Sequence, residues 1–256
     1  MAVVTPLEIP SIRNRISDEE WKARIDLAAC YRLVAFHGWT DLILNHISLR
    51  VPGTDDQFLI NPFGLLYEQI TASSLVKIDI DGNVLQDSPY PINQAGFVIH
   101  GAIHRARPEL HCILHTHTVA GQAVSALDCG ILPLHQSALQ FYNRVGFHDF
   151  EGIALDVDEQ ERIVRALGPH KVLILRNHGL LTAGETVAEA FNQMFFLEKT
   201  CATQMQILAS NQPYKLLSKE LCEHTVAQFG KGGRLSARAW PALLKQMDAL
   251  DPSYRN

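Results

Sequence analysis

Hydrophobic residues recur along the chain at two spacings, and each spacing predicts a type of secondary structure. Trp21, Ile25 and Leu33 follow helical spacing after Ser17, which forms a capping-box pattern with Glu20 and so predicts a helix start. Residues 42–51 alternate with the two-residue period of a strand. Interleaved helices and strands of this kind indicate an α/β protein. Further helices are predicted over 94–107, 119–127, 159–167 and 186–210, and further strands over 58–60, 75–80, 112–114, 171–175 and 180–182.

The composition is that of a globular protein with a full-sized core. Of 256 residues, 47% are hydrophobic and 19% are charged, which excludes disordered and disulfide-scaffold classes. No internal repeat, low-complexity tract or linker divides the sequence, so we expect one main domain. We predict an N-terminal arm over residues 1–16, the domain over 17–212, and a C-terminal tail over 213–256 that packs on the body or on a neighbouring subunit.

Charge and cysteine content narrow the possible partners and the compartment. The 22 Lys and Arg residues against 27 Asp and Glu leave a net charge of −5, which argues against a nucleic-acid partner. No apolar run has the length of a membrane span, and the N-terminus lacks the features of a signal peptide. The five cysteines are odd in number and show no Cys-x-x-Cys spacing, which is typical of a reducing compartment. We therefore expect a cytoplasmic protein without a membrane partner.

Histidines at the ends of two predicted strands form a candidate metal site. His115 and His117 follow a short apolar strand, and side chains two residues apart in an extended chain point the same way. His178 follows another buried strand and is the natural third ligand. Three imidazoles with one open position suit a catalytic Zn²⁺, and also Mn²⁺, Fe²⁺ or Co²⁺. Thr116 and Thr118 would then act as spacers, and the alternative is that the histidines have ordinary structural roles.

Five short segments, in this order along the chain, resemble the class II aldolase/adducin family over roughly residues 19–210. They are LNHISLR at 44–50, INPFG at 60–64, AIHRARP at 102–108, HTHT at 115–118 and LRNHG at 175–179. The resemblance implies a three-layer α/β/α sandwich with a central, largely antiparallel sheet. It also implies a homotetramer with active sites between subunits. His115, His117 and His178 correspond to the family's ligands for one divalent metal per subunit, with zinc the first expectation.

The sequence departs from the sugar-phosphate aldolases of this family at several positions. Those enzymes place a Glu that contacts the metal and moves a proton nineteen residues before the first metal histidine, where this chain has Gly96. Their two phosphate-binding Ser residues correspond to Gln94 and Ala95, and a Thr-Gly pair corresponds to Phe63 and Gly64. We therefore expect a small oxo- or hydroxy-acid or another carbonyl substrate rather than a sugar phosphate.

Other residues are candidates for proton transfer and substrate binding. We name Tyr142 and His148 as catalytic candidates, with Glu151 and His135 as alternatives. Tyr142 could equally be an aromatic interface residue. His148 could be an imidazole oriented by the adjacent Asp149, or it could equally lie in a surface turn. We expect three residues to contact the substrate, namely Asn45, Gly64 and Gln94. Three further histidines near the helix that precedes the site are expected to be structural, namely His100, His104 and His111.

These features lead to one main functional hypothesis and two alternatives. A metal with an open position can stabilise the enolate that forms when a carbon–carbon bond breaks, in retro-aldol cleavage or in decarboxylation. The main hypothesis is therefore a divalent-metal-dependent carbon–carbon lyase of aldolase or decarboxylase type. One alternative is a non-catalytic adducin-like assembly module, although the resemblance implies that adducin-type domains lack the metal histidines. The other is a non-haem iron oxygenase on the same scaffold.

Overall fold

The computed structural model describes residues 9–153, 158–231 and 235–256, so the first eight residues of the predicted arm lie outside it. Helices and strands interleave along the described chain, as the hydrophobic pattern predicts. The strands are β1 (His46–Arg50), β2 (Gln57–Ile60), β3 (Val76–Asp79), β4 (Cys112–Thr116), β5 (Gly146–His148), β6 (Val172–Leu175) and β7 (Gly179–Gly184). The helices are α1 (Asp18–Phe36), α2 (Gln94–Ala106), α3 (Val119–Ser125), α4 (Glu159–Leu167), α5 (Val187–Ala209), α6 (Lys219–Lys231) and α7 (Leu235–Leu250).

The seven described strands form one sheet in the order β3-β2-β1-β4-β7-β6-β5. Every neighbouring pair is antiparallel except β5 and β6, which run parallel. At the centre, β4 lies between β1 and β7, with His115 opposite His46 on one side and opposite Leu181 on the other. The largely antiparallel sheet expected from the family resemblance is confirmed.

Helices cover both faces of the sheet and divide the core in two. Ile47 and Leu114 point into the larger core, which is covered by α1, α3, α5 and α7. Ile113 and Leu181 point the other way, into a smaller core under α2 and α4. Successive strand residues alternate between these two cores because side chains in a strand point to opposite faces. The protein is therefore a three-layer α/β/α sandwich, as expected.

The start of α1 shows how the sequence specifies a helix end. The Ser17 hydroxyl accepts a hydrogen bond from the backbone N–H of Glu20 at 3.1 Å, as predicted. The Glu20 carboxylate does not complete the capping box, because it binds Arg24 at 2.9 Å and Lys77 at 2.6 Å instead. The buried Arg24 guanidinium also donates to the carbonyl of Leu75. One end of α1 is thus fixed to the segment that leads into β3.

Two parts of the chain differ from the hydrophobic pattern. The strand predicted over 42–51 begins at His46, because the backbone N–H of Leu44 closes a turn on the Asp41 carbonyl at 2.9 Å. Leu42, inside that turn, has a positive φ of 49° that a strand cannot contain. The segment expected to be a polar tail forms α6 and α7, and Trp240 of α7 donates to Asp26 of α1. The division into arm, domain and tail stays a prediction.

A helix must be both long and apolar to cross a lipid bilayer. Within the described residues, none combines the length and the apolar character that a membrane crossing requires.

Candidate metal centre

Two neighbouring strands bring the three candidate ligands together. His115 lies in β4, and His117 is the first residue beyond its last member, Thr116. His178 lies in the tight turn between β6 and β7, where its backbone N–H bonds to the Leu175 carbonyl at 3.1 Å. Asn177 makes this turn possible with a left-handed backbone, φ 55°, which asparagine tolerates better than most residues. Because β4 pairs with β7, the turn lies beside the end of β4.

The Nε2 atoms of the three histidines point at one another. The distance is 2.7 Å between His115 and His117, 2.9 Å between His117 and His178, and 3.3 Å between His115 and His178. These residues form the group of potential metal ligands found among the described residues. Imidazole Nε2 atoms that converge in this way are an arrangement typical of a divalent metal site.

Hydrogen bonds to the opposite ring nitrogens determine where two of these imidazoles carry their protons. The Nδ1 atom of His115 is 2.8 Å from the Leu180 carbonyl, which can only accept. The Nδ1 atom of His117 is 2.9 Å from the Asp41 carboxylate. Each neutral ring therefore holds its proton on Nδ1 and presents a lone pair at Nε2. Two lone pairs 2.7 Å apart cannot form a hydrogen bond with each other, whereas a cation between them satisfies both.

Burial keeps His115 and His178 in the neutral form that a metal requires. It lowers the pKa of His115 well below its usual value, and the nearby histidines lower it further. Burial, together with His117 and His148, lowers the pKa of His178 to about 4. Protons therefore compete weakly with a cation for these nitrogens near neutral pH. The donor atoms, their protonation and their anchoring all fit a divalent metal.

The threonines between and after the paired histidines are more than spacers. The Thr116 hydroxyl donates to Glu198 at 2.6 Å, and the Thr118 hydroxyl donates to the other carboxyl oxygen of Glu198 at 2.5 Å. Thr118 also caps α3 by accepting from the backbone N–H of Gly121. Glu198 is buried in α5, and burial raises its pKa. Thr116 and Thr118 thus fix the histidine segment, residues 115–118, to α5.

The predicted substrate-binding residues occupy different environments. Asn45 is fully buried beside His46, and neither polar atom of its side chain has a hydrogen-bond partner among the described residues. Gly64 has a φ of 129°, and a Cβ there would lie 3.3 Å from the ring of Tyr90. Gln94 is the exposed first residue of α2. Asn45 is therefore the member of this set with unused hydrogen-bonding capacity in a buried position.

The two predicted catalytic residues are placed on different elements. His148 ends β5 and lies with His178 in the wall of one small pocket, and its Nε2 is 3.0 Å from Glu159. The residue that orients this ring is therefore Glu159 rather than the adjacent aspartate. Tyr142 directly follows a short 3-10 helix, Gln136–Phe141. Within the described residues, its hydroxyl takes part in no hydrogen bond.

Several contacts at the site were not identified from sequence. Asp41 orients His117 from a loop whose turn has no strong sequence signal. His100 and His104, expected to be structural, join His46 in a buried series of hydrogen bonds. Their spacing of four residues, which places both on one face of α2, was the signal available. Gly96, where the family's Glu is missing, packs against His46, since a Cβ there would lie 2.8 Å from that ring.

The chain is similar in sequence to a known protein family and similar in fold to several solved structures. The family model for the class II aldolase and adducin N-terminal domain matches residues 25–205. A crystal structure of an aldolase II superfamily protein from Pseudomonas syringae has a TM-score of 0.92 and 47% identity, covering 96% of this chain and 100% of that one. An L-fuculose 1-phosphate aldolase from Glaciozyma antarctica has a TM-score of 0.82 and 29% identity, with 97% of each chain covered.

Similarity also extends to adducins. Alpha-adducin from Rattus norvegicus is 43% identical over an alignment of 243 positions, which covers 89% of this chain and 33% of that protein. This chain thus spans about a third of the length of alpha-adducin. Together with the family match and the shared fold, the comparison shows that the chain belongs to the class II aldolase/adducin family.

Proposed function

We propose that this protein is a divalent-metal-dependent carbon–carbon lyase of aldolase or decarboxylase type. The observation that carries the proposal is the convergence of three Nε2 atoms, two of which are fixed as lone-pair donors by Leu180 and Asp41. The Glaciozyma antarctica relative, an L-fuculose 1-phosphate aldolase, supports a lyase reaction. For this chain we propose a small oxo- or hydroxy-acid or another carbonyl substrate. Phe63, Gln94 and Ala95 stand where the family resemblance places phosphate-binding hydroxyls.

The chain's own residues divide the remaining tasks. A bound divalent metal supplies Lewis acidity, which stabilises negative charge on a substrate oxygen as the carbon–carbon bond breaks. Asn45 has an unpartnered buried amide that can bind a polar substrate group, and Gly64 and Gln94 complete the proposed substrate contacts. His148, oriented by Glu159, is the proposed proton carrier on the described subunit. Tyr142 is the second candidate for that role.

We also propose that the protein is a cytoplasmic homotetramer with its sites at subunit interfaces and zinc as its resident metal. Large apolar side chains next to the ligand segments support the interface. Leu42 follows Asp41 and is 73% exposed, and Val119 follows the histidine segment and is 85% exposed. Exposed apolar groups in such positions are typical of a surface that another subunit covers.

The test begins with metal content. Protein purified without nickel affinity should contain close to one divalent ion per subunit by elemental analysis. His178→Ala should remove most of that metal, whereas the exposed His224, changed to Ala as a matched control, should leave it unchanged. Metal retained at full stoichiometry in His178→Ala would refute the assignment of the ligands. The metal-loaded protein should then release an aldehyde or carbon dioxide from a member of a hydroxy- and oxo-acid panel.

A second candidate function is a non-catalytic assembly module. The observation that favours it is the 43% identity to rat alpha-adducin across 89% of this chain. A protein that takes up no divalent metal and turns over no member of the panel would support this candidate. Stoichiometric iron with consumption of O₂ on adding substrate would instead identify an oxygenase.

A further inference from the structure

A continuous series of buried hydrogen bonds runs between β1 and α2 and ends beside the metal ligands. His46 Nδ1 is 2.9 Å from His100 Nε2, and His100 Nδ1 is 2.7 Å from the Ser48 hydroxyl. The same hydroxyl is 2.7 Å from His104 Nε2, and His104 Nδ1 is 3.2 Å from the Leu110 carbonyl. Each of the four side chains is only 2% exposed. The series therefore contains three imidazoles and one hydroxyl, shielded from water.

The Leu110 carbonyl determines the direction of every bond in the series. A carbonyl only accepts, so His104 must carry its proton on Nδ1 and accept from Ser48 at Nε2. Ser48 has then used its one proton and must accept from His100 Nδ1. His100 in turn accepts at Nε2 from His46 Nδ1.

This direction requires His100 and His104 to be neutral, because each accepts a hydrogen bond at Nε2, and their surroundings keep them so. Burial lowers the pKa of His100 and His104 well below the usual value. The Arg50 guanidinium near His104 lowers the pKa of that ring further. His46 donates through its Nδ1 proton to His100, and a ring with this single proton presents a bare lone pair at Nε2.

His46 lies beside the metal centre without being one of its ligands. The residue lies opposite His115 across the β1–β4 pair, and the two ring centres are 5.0 Å apart. The group of potential ligand atoms among the described residues does not include His46. Gly96 of α2 leaves the space that the ring occupies, since a Cβ there would lie 2.8 Å from two ring atoms. Within the described residues, no hydrogen bond engages His46 Nε2.

We propose that His46 Nε2 is a hydrogen-bond acceptor for the substrate, and that it makes the site select hydroxy acids over the corresponding oxo acids. This inference rests on the proposed function, because it places the substrate at the metal centre. A substrate hydroxyl beside His46 can donate a hydrogen bond to the Nε2 lone pair. An oxo oxygen has no proton to donate, and its own lone pair is repelled by that of Nε2. The hydrogen bonds through Ser48 and His104 keep His46 Nε2 unprotonated and able to accept. Ser48 and His104 are therefore positioning residues.

Selectivity can be tested by binding alone, with lactate and pyruvate as matched probes. Each is titrated into the cobalt-loaded protein, and binding is followed through the visible absorption of the metal. We expect lactate to lose about tenfold in affinity in His46→Phe, with pyruvate unchanged or tighter, because one hydrogen bond is removed. An equal change for both probes, or no change for either, would overturn the proposal. Ser48→Ala should reduce the lactate preference and Ser48→Thr, which keeps the hydroxyl, should restore it.

The protonation of His46 can be measured in the unaltered protein, with no dependence on metal or substrate. In protein with ¹⁵N-labelled histidine, nitrogen chemical shifts distinguish a protonated ring nitrogen from an unprotonated one. The His46 signals are identified by their loss in His46→Phe or, if that variant does not fold, by their contact with His100. We expect Nδ1 protonated and Nε2 bare, and a proton on Nε2 would overturn the inference. A protein that takes up no metal but shows the expected shifts would refute the proposed function and leave the state of His46 established.

Discussion

Asp41 offers the sharpest test of how the metal centre is built, because it lies outside the ligand set and acts through one hydrogen bond. Its carboxylate accepts from His117 Nδ1 at 2.9 Å, which fixes the tautomer and the orientation of that ring. Removing such a partner typically weakens metal binding by about 10- to 100-fold. The Asp41 side chain is 40% exposed, so water can replace part of the lost bond. We therefore expect Asp41→Ala to weaken metal binding by about tenfold, or roughly 1.4 kcal/mol, which is the lower end of that range.

The assay is a competition for zinc between the protein and a chromogenic chelator at fixed pH and salt. Asp41→Asn should lose less affinity than Asp41→Ala, because an amide oxygen still accepts from His117 but carries no charge. The exposed Asp87, changed to Ala, is the matched control and should bind zinc as the unaltered protein does. Equal zinc affinity in Asp41→Ala and the control would show that the carboxylate does not act through His117.

Three other predictions concern stability, each measured as the free energy of unfolding in urea. Ser17→Ala removes the cap of α1 and should cost about 1 kcal/mol without changing the urea dependence. Gly96→Ala forces a methyl group against the buried ring of His46 and should cost about 1–3 kcal/mol, and an unchanged stability would contradict the packing described. The pKa values of His100 and His104 are depressed by burial, so below about pH 6.5 the unfolded chain binds protons that the folded protein does not. Metal-free protein should thus lose about 1.4 kcal/mol per pH unit for each of these two histidines as the pH falls, and equal stability at pH 7 and 5.5 would contradict this.

Local sequence signals were sufficient for the elements that they specify directly. Ser17 and the helical spacing after it predicted α1, and the two-residue spacing of His115 and His117 after an apolar strand predicted their common direction. The juxtaposition of His178 with this pair followed from its place after a second buried strand. In each case, the local sequence pattern and the tertiary structure favour the same arrangement.

What the sequence did not disclose depends on contacts between distant segments. Asp41 reaches His117 because residues 41–44 form a turn, and the strand-like alternation of that stretch obscured it. The link between His46 and His100 depends on which strand α2 packs against, which spacing within the helix cannot indicate. Helix α6 was missed because its sequence is mostly polar, and α7 was missed because Pro241 lies inside it. The hydrogen bond from Trp240 to Asp26 of α1 forms only in the folded protein.

The distribution of the candidate ligands along the chain has a consequence for unfolding. His117 and His178 are 61 residues apart, and Asp41, which orients His117, precedes it by 76 residues. An ion held by these histidines is therefore a cross-link that closes long loops, and it binds the folded chain but not the unfolded one. Each metal should raise the melting temperature roughly in proportion to the logarithm of its affinity, with about 2.7 kcal/mol gained at a hundredfold excess over Kd. Thermal unfolding across a series of divalent ions would thus rank the candidate metals before any substrate is known.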